Sequence, residues 1–315
     1  MDSQDRKREL ETSKLQSKSK ARITPLLAND VLARVERLRL NPVARYTNRS
    51  RGEHISRAGG SSIEFKDYRD YSAGDDMRYI DWNIFSRLHR PYVKLFHEEE
   101  EMHVVLLIDA SASMGFENKL ERAKELAAAL GVMGLLGTEK VSVQVFNHRD
   151  TTKLHRFRPH AGRVSMRSLF QFLEPIEAGG EAPLEEGVDM LLKHHSGRGI
   201  VVVLSDFLTT GDLRKSFNML FSSGLEIFGL QVLSPTEIEP DVSQDLRLVD
   251  SETGETLDVT AGGDIVELYE EYRDAFQLHL ESLAQSRRGR VLTVSCGDPI
   301  EHLIFDVLRR RGWIR

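Results

Sequence analysis

Asp109, Ser111 and Ser113 place one carboxylate and two hydroxyls on alternate residues, directly after the unbroken apolar run 104–108. One charged and two neutral oxygens suit a hard divalent cation such as Mg²⁺, which keeps several waters and takes few protein ligands. The apolar run reads as a strand buried on both faces. A site at the carboxyl end of such a strand is where parallel α/β sheets place ligands. Gly115 then permits a tight turn, and Asn118 is expected to cap a helix beginning at Lys119.

Other chemistry fits these residues less well. Ala110-Ser111-Ala112-Ser113-Met114 lacks the flanking glycines of a nucleophile elbow. Asp109 as a phosphate-accepting nucleophile resembles the haloacid dehalogenase-like enzymes, but those carry a second aspartate two residues on, where this chain has Ser111. The Asp-x-Ser-x-Ser run resembles the metal-ion-dependent adhesion site of von Willebrand factor type A domains. A second apolar run, 200–204, ends in Ser205 and Asp206, so adjacent parallel strands would bring Asp109 and Asp206 together. Two such charges are costly unless a cation or hydrogen-bond donors offset them. The resemblance implies a third loop, Gly-Gly-Thr-like, that supplies a hydroxyl. Here the stretch is Gly179-Gly180-Glu181-Ala182-Pro183, with Glu181 in the threonine position. The expected metal ligands are therefore Asp109, Ser111, Ser113, Glu181 and Asp206, with Mg²⁺ as the ion. Glu181 can ligate directly, fill the position a partner would use, or face solvent.

Positioning these loops requires an α/β, doubly wound, mainly parallel sheet with one antiparallel strand, preceded by a smaller N-terminal helix plus β appendage. Strands are predicted near 103–108, 141–146, 152–158, 199–205, 225–233 and 290–296. Helices are predicted near 118–137, 163–173, 183–195, 211–222, 264–286 and 299–311. The pair 141–146 and 152–158 reads as a hairpin, as does 246–259, turning at Glu252–Glu255. Upstream, Leu26, Leu27, Val31, Leu32, Val35 and Leu38 have helical spacing, with Pro42 at the exit. Stretches 62–68 and 90–97 alternate like exposed strands. The expected organisation is a basic disordered tail over 1–22, the appendage over 23–97 and the main domain over 98–315.

The 315 residues, 40% hydrophobic and 29% charged, describe a chain with an adequate core. Its longest apolar runs have strand length, so no membrane span is expected. The amino terminus lacks a signal-peptide core and the single cysteine, Cys296, has no disulfide partner, which points to the cytoplasm. Cys296 reads as a small core residue. The net charge of −6 is uneven: residues 1–97 carry 20 Lys and Arg against 13 Asp and Glu. A basic front can meet nucleic acid or an anionic membrane. The favoured reading pairs its arginines with nearby acids, with no nucleic acid as partner. His194-His195 have no zinc spacing.

The front segment carries a second resemblance. Gly52-Glu53-His54, Ala58–Phe65 and Asp67-Tyr68-Arg69-Asp70-Tyr71 precede Gly74-Asp75-Asp76-Met77-Arg78-Tyr79-Ile80-Asp81-Trp82, and Tyr92–Glu100 follows. This order is similar to the domain of unknown function 58 family, over roughly residues 40–315. The resemblance implies a von Willebrand factor type A-like domain behind the front segment, and a MoxR-type AAA+ ATPase as partner. The Asp75–Trp82 block itself reads as buried Arg–carboxylate pairs under an aromatic lid. The expected function is a non-enzymatic adaptor that docks on the ATPase or its client. The sequence has no Gly-x-x-x-x-Gly-Lys-[Ser/Thr] loop to hydrolyse ATP. A metal-dependent hydrolase using Asp109, Glu181 and Asp206 is the alternative.

Overall fold

A computed structural model describes residues 22–42, 64–97, 102–137, 139–150, 155–209, 211–240, 246–249, 256–259 and 263–315. The tail over 1–21, the motif 52–54, the motif residues 58–63 and 98–100 and the turn at 252–255 lie outside these residues. The chain divides into two compact units, Met1–Val43 with His103–Arg315, and Ala44–Met102. The helix predicted from Leu26 onward, α1 (Asn29–Val35), thus counts with the main unit and not with the front appendage. Its apolar face is the reason: Val31, Leu32 and Val35 are buried. The residues after it pair with the carboxyl terminus, through Arg39 and Asn41 to Arg315 and Trp313.

The second unit, taken by itself, is an antiparallel pair of β1 (Glu64–Asp70) and β2 (Tyr92–His97), with helix α2 (Trp82–Leu88) between them in the chain. Asp81 starts α2 by accepting from the backbone N–H groups of Asn83 and Ile84 at 2.9 and 3.1 Å. Lys94 Nζ lies 3.0 Å from the same carboxylate. The expected buried Arg–carboxylate pairs are not what forms. Arg78 pairs with Asp76 on the surface and Trp82 is 59% exposed. Only Asp81 of the block's charged residues is buried. The acids lie too close in sequence to their partners to need a core: Asp76 and Arg78 are two residues apart, and Arg69 reaches Asp75 across one turn.

In the main unit, β3 (His103–Asp109) is followed by α3 (Lys119–Leu136), β4 (Lys140–Phe146), β5 (Arg156–His160), α4 (Met166–Leu173), α5 (Leu184–Leu192) and β6 (Gly199–Ser205). Next come α6 (Leu213–Ser222), β7 (Leu225–Leu233), the short α7 (Pro235–Ile238), a hairpin of β8 (Leu246–Val249) and β9 (Thr256–Val259), α8 (Gly263–Gln285) and β10 (Arg290–Ser295). A last helical stretch, 300–308, widens to π geometry over Leu303–Leu308.

The sheet order is β10-β7-β6-β3-β4-β5, parallel throughout except for β5, which runs antiparallel to β4. This is the doubly wound, mainly parallel sheet with one antiparallel strand that the sequence predicts. Central strands β3, β6 and β7 are buried along essentially their whole length, as their unbroken Val, Ile and Leu runs require. One face packs on α5, α6 and α8 through a core that includes Val188, Phe217 and Leu280. The other carries α3, which is apolar nearly all round and therefore buried. The alanines of α3 and Gly134, where a Cβ would lie 2.7 Å from Val141, let that helix sit close to the sheet. Its amino end is thereby held against the carboxyl edge of β3.

Candidate functional site

Asp109 is the last residue of β3, and Asp206 directly follows the last residue of β6. The in-register pairing of Ile108 with Leu204 sets Asp109 beside Ser205. Ser205 Oγ donates to Asp109 Oδ2 at 2.8 Å; the Ser111 N–H and Asn147 Nδ2 donate to Oδ1 at 2.9 and 3.2 Å. The Ser111 and Ser113 hydroxyl oxygens lie 3.0 Å apart. Ser111 is buried and Ser113 is half-buried at the rim. Asp109, Ser111, Ser113 and Asp206 thus meet at one sheet edge.

The third loop runs beside the first. Gly180 forms a parallel bridge with Ser111, its carbonyl accepts from the Ala112 N–H at 3.1 Å, and the Gly179 N–H donates to the Ala110 carbonyl at 2.8 Å. Asn147, at the end of β4, clamps this loop with both ends of its amide, donating to the Ala182 carbonyl and accepting from the Ala182 N–H. Gly180 is required here, since a Cβ would lie 2.6 Å from Asn147 Cα. Glu181 follows on the same edge, but its side chain is exposed. The three-carboxylate cage of the hydrolase reading is not formed. Among the described residues, no three or more of His, Cys, Asp and Glu are grouped to hold a metal.

Asp206 has a partner that sequence reasoning missed. Lys119 Nζ lies 2.9 Å from Asp206 Oδ2 and 2.6 Å from Glu237 Oε1, and the lysine side chain is fully buried. Asp206 Oδ1 accepts from the Leu208 N–H. Glu237 closes a capping box on α7: its Oε2 accepts from the Ser234 N–H at 2.7 Å, while Ser234 Oγ accepts from the Glu237 N–H. One carboxylate therefore ends β7's loop and holds the lysine that opens α3. The turn before Lys119 also differs from expectation. Glu117 and Asn118 take left-handed backbone angles, φ 44° and 65°, and the Asn118 side chain caps nothing. An N-cap needs extended backbone to aim its oxygen at the helix N–H groups, and Asn118 lacks it. The Glu117 carboxylate is held by Thr236 and its carbonyl by the Cys296 thiol. Phe207 and Asn147 also have positive φ, so four of the six non-glycine residues with such angles, among those described, border this edge. Such unfavourable geometry persists only where surrounding contacts over-determine it.

The electrostatics follow from this division of partners. Burial, and secondarily the charge of Asp206, push Asp109 up to about 6, against the hydrogen bonds from Ser205, Ser111 and Asn147. Burial pulls Lys119 down, but Asp206 and Glu237 outweigh it and hold the ammonium above the ordinary lysine range. Asp109 has only neutral donors; Asp206 has an ammonium. Two carboxylates and two hydroxyls, all hard oxygens with an excess of negative charge, fit a divalent ion of the Mg²⁺ kind.

A family model described as "Protein of unknown function DUF58" matches residues 67–281, more than half of the sequence. The chain belongs to this family. The match spans both Asp109 and Glu237, and every residue of the edge between them. Among relatives, an uncharacterized protein of Mycobacterium tuberculosis is 26% identical over 268 residues, which cover 84% of this chain and 80% of that protein. A Mycobacterium avium protein, also uncharacterized, is 30% identical over 141 residues, 44% of this chain and 73% of its own. Among solved structures, the conserved hypothetical protein BatB of Bacteroides thetaiotaomicron aligns with TM-score 0.40 and 17% identity, over 62% of this chain and 90% of its own. A von Willebrand factor type A protein of Catenulispora acidiphila aligns with TM-score 0.34 and 15% identity, over 45% and 35%. Among the described residues, no helix is long and apolar enough to cross a membrane.

Proposed function

We propose that this chain is a non-enzymatic, cytoplasmic adaptor whose sheet edge takes a Mg²⁺ ion and, through it, a carboxylate of a partner protein. The observation that carries this reading is the meeting of Asp109, Ser111, Ser113 and Asp206 at one edge, with the two hydroxyl oxygens 3.0 Å apart. Asp109, Ser111, Ser113 and Asp206 would hold the ion, and Glu181 stands at its rim. When bound, the ion supplies a Lewis-acidic position open to a partner's oxygen. The chain's own residues do the rest. Ser205 and Asn147 fix the rotamer of Asp109, and Asn147 ties the Glu181 loop to the same carboxylate. Among the described residues, this arrangement pairs no nucleophile with an adjacent base.

The partner we propose is a MoxR-type AAA+ ATPase or its client, since the chain has no nucleotide loop of its own and the ATPase would supply the work. The test is capture of a purified MoxR-type ATPase from the same organism by the full chain, in Mg²⁺ and in chelator. Binding is expected in Mg²⁺, weakened by Ser111→Ala and strengthened by Glu181→Thr, which restores a hydroxyl and removes a charge. Equal capture with and without Mg²⁺ would refute the metal-dependent contact. Turnover of a phosphoester or peptide that is lost in Asp109→Ala would refute the adaptor reading.

A further inference from the structure

We propose that Lys119 is a resident cation of this edge, competing with a divalent ion for Asp206 and so setting how tightly the edge takes that ion. The inference rests on the reading of the edge as a divalent-cation site and adds the residue that tunes it. Three carboxylates face this region: Asp109, Asp206 and Glu237. Lys119 touches two of them, at 2.9 and 2.6 Å, and is fully buried. A surface lysine would share its charge with water, whereas this one has been stripped of water and is matched by acids from two other strands' loops. A lysine at a helix amino end also opposes the helix dipole. It is held there only because β6 and α7 each aim a carboxylate at it.

Charge counting gives the consequence. With Lys119 in place, the three acids carry a net charge of minus two, which one divalent ion neutralises. Glu237 is thus cancelled, and the edge behaves as a site of two acids and two hydroxyls. Asp206 Oδ2 is the oxygen that the ammonium holds, so an ion drawing on that carboxylate shares its negative charge with the ammonium. Glu237 is the lysine's alternative anchor. Its own position is fixed by Ser234 and the α7 cap, and by Tyr269 donating to its carbonyl. Removing the Lys119 charge therefore frees Asp206 and leaves an extra negative charge for the ion. Removing the Glu237 charge does the reverse, leaving Lys119 with Asp206 alone.

Calorimetric titration of the full chain with Mn²⁺ alone tests this, using wild type, Lys119→Met, Glu237→Gln and Asp109→Ala. Lys119→Met is expected to bind Mn²⁺ about tenfold more tightly or better, because a neighbouring unit charge at a partly buried site is worth at least that factor. Glu237→Gln is expected to bind it more weakly than wild type, and this variant keeps the ammonium paired, so it serves if Lys119→Met does not fold. Asp109→Ala should abolish binding. Binding to Lys119→Met but not to wild type supports the proposal and marks Lys119 as a block on the edge. Equal Mn²⁺ affinity in wild type, Lys119→Met and Glu237→Gln overturns the role of Lys119 while leaving the divalent site standing. No Mn²⁺ binding in any folded variant overturns both.

Discussion

Asp109 and Asp81 are both buried carboxylates at the boundary of an element, yet burial pushes the first up to about 6, while Lys94 and the α2 backbone N–H groups hold the second below the ordinary aspartate range. The difference lies in who answers the charge. Asp81 sits in a small unit where a lysine and a helix start are adjacent, so its ionised form is satisfied locally. Asp109 ends a strand inside a large sheet, where hydroxyl and amide donors replace water and, among the described residues, no cation pairs with it. The first arrangement builds structure. The second stores an unanswered charge at a sheet edge, the electrostatic condition under which an exogenous cation gains most.

The largest expected effect comes from removing the ammonium of Lys119. Lys119→Ala leaves Asp206 and Glu237 without their shared ammonium and should destabilise the fold by about 3–5 kcal/mol, as losing one member of a buried ion pair does. Urea unfolding in chelator would measure it, and recovery of part of the loss in Mn²⁺ would tie it to the edge. Asp109→Asn acts in the opposite direction. Because folding raises this carboxyl's pKa, the folded state holds more protons between the ordinary aspartate value and about 6. Its contribution to stability therefore falls as pH rises through that window, to a penalty on the order of 3 kcal/mol above it. Unfolding free energies from pH 4 to 7 should fall less steeply in Asp109→Asn than in wild type; identical slopes would show that Asp109 carries no such charge.

Asn147→Ala removes the clamp between Asp109 and the Glu181 loop, leaving the Ala182 N–H and carbonyl to find other partners. A loss of about 1–3 kcal/mol is expected, with faster hydrogen exchange at 179–182. In the second unit, Asp81→Ala takes away the α2 cap and the partner of Lys94, and should lower the melting temperature by less than the Lys119 variant. Arg78→Ala should leave the melting curve where it was, since both members of its pair with Asp76 face solvent. A large loss in Arg78→Ala would erase the contrast between the two regions.

Much of the frame was legible along the chain. The apolar runs of β3 and β6 and their terminal acids follow from local composition, and so does the helix starting at Lys119. The Asp75–Trp82 block has the composition of a buried pairing and forms mostly a surface one, because its ion pairs close within a few residues and need no core. The boundary of the front appendage also moved, since the apolar face of α1 is buried in the main unit. Asn147, Ser205 and Glu237 went unread as site residues. The capping-box spacing of Ser234 and Glu237 is visible in sequence, but it predicts a helix start and not the second contact of the same carboxylate. The one local clue to Lys119 was its place at a helix amino end, where a cation is disfavoured without an acid nearby.

The sequence by itself determined which oxygens sit together at the end of β3: Asp109, Ser111 and Ser113 fall within five consecutive residues, and spacing alone brings them into reach. Only the tertiary structure decided how their charge is answered. Lys119 stands 87 positions from Asp206 and 118 from Glu237, so its pairing exists only once the parallel sheet aligns the ends of β3, β6 and β7. Chain connectivity places ligands within a loop, whereas the balance of charge between loops depends on burial and on which strand ends become neighbours.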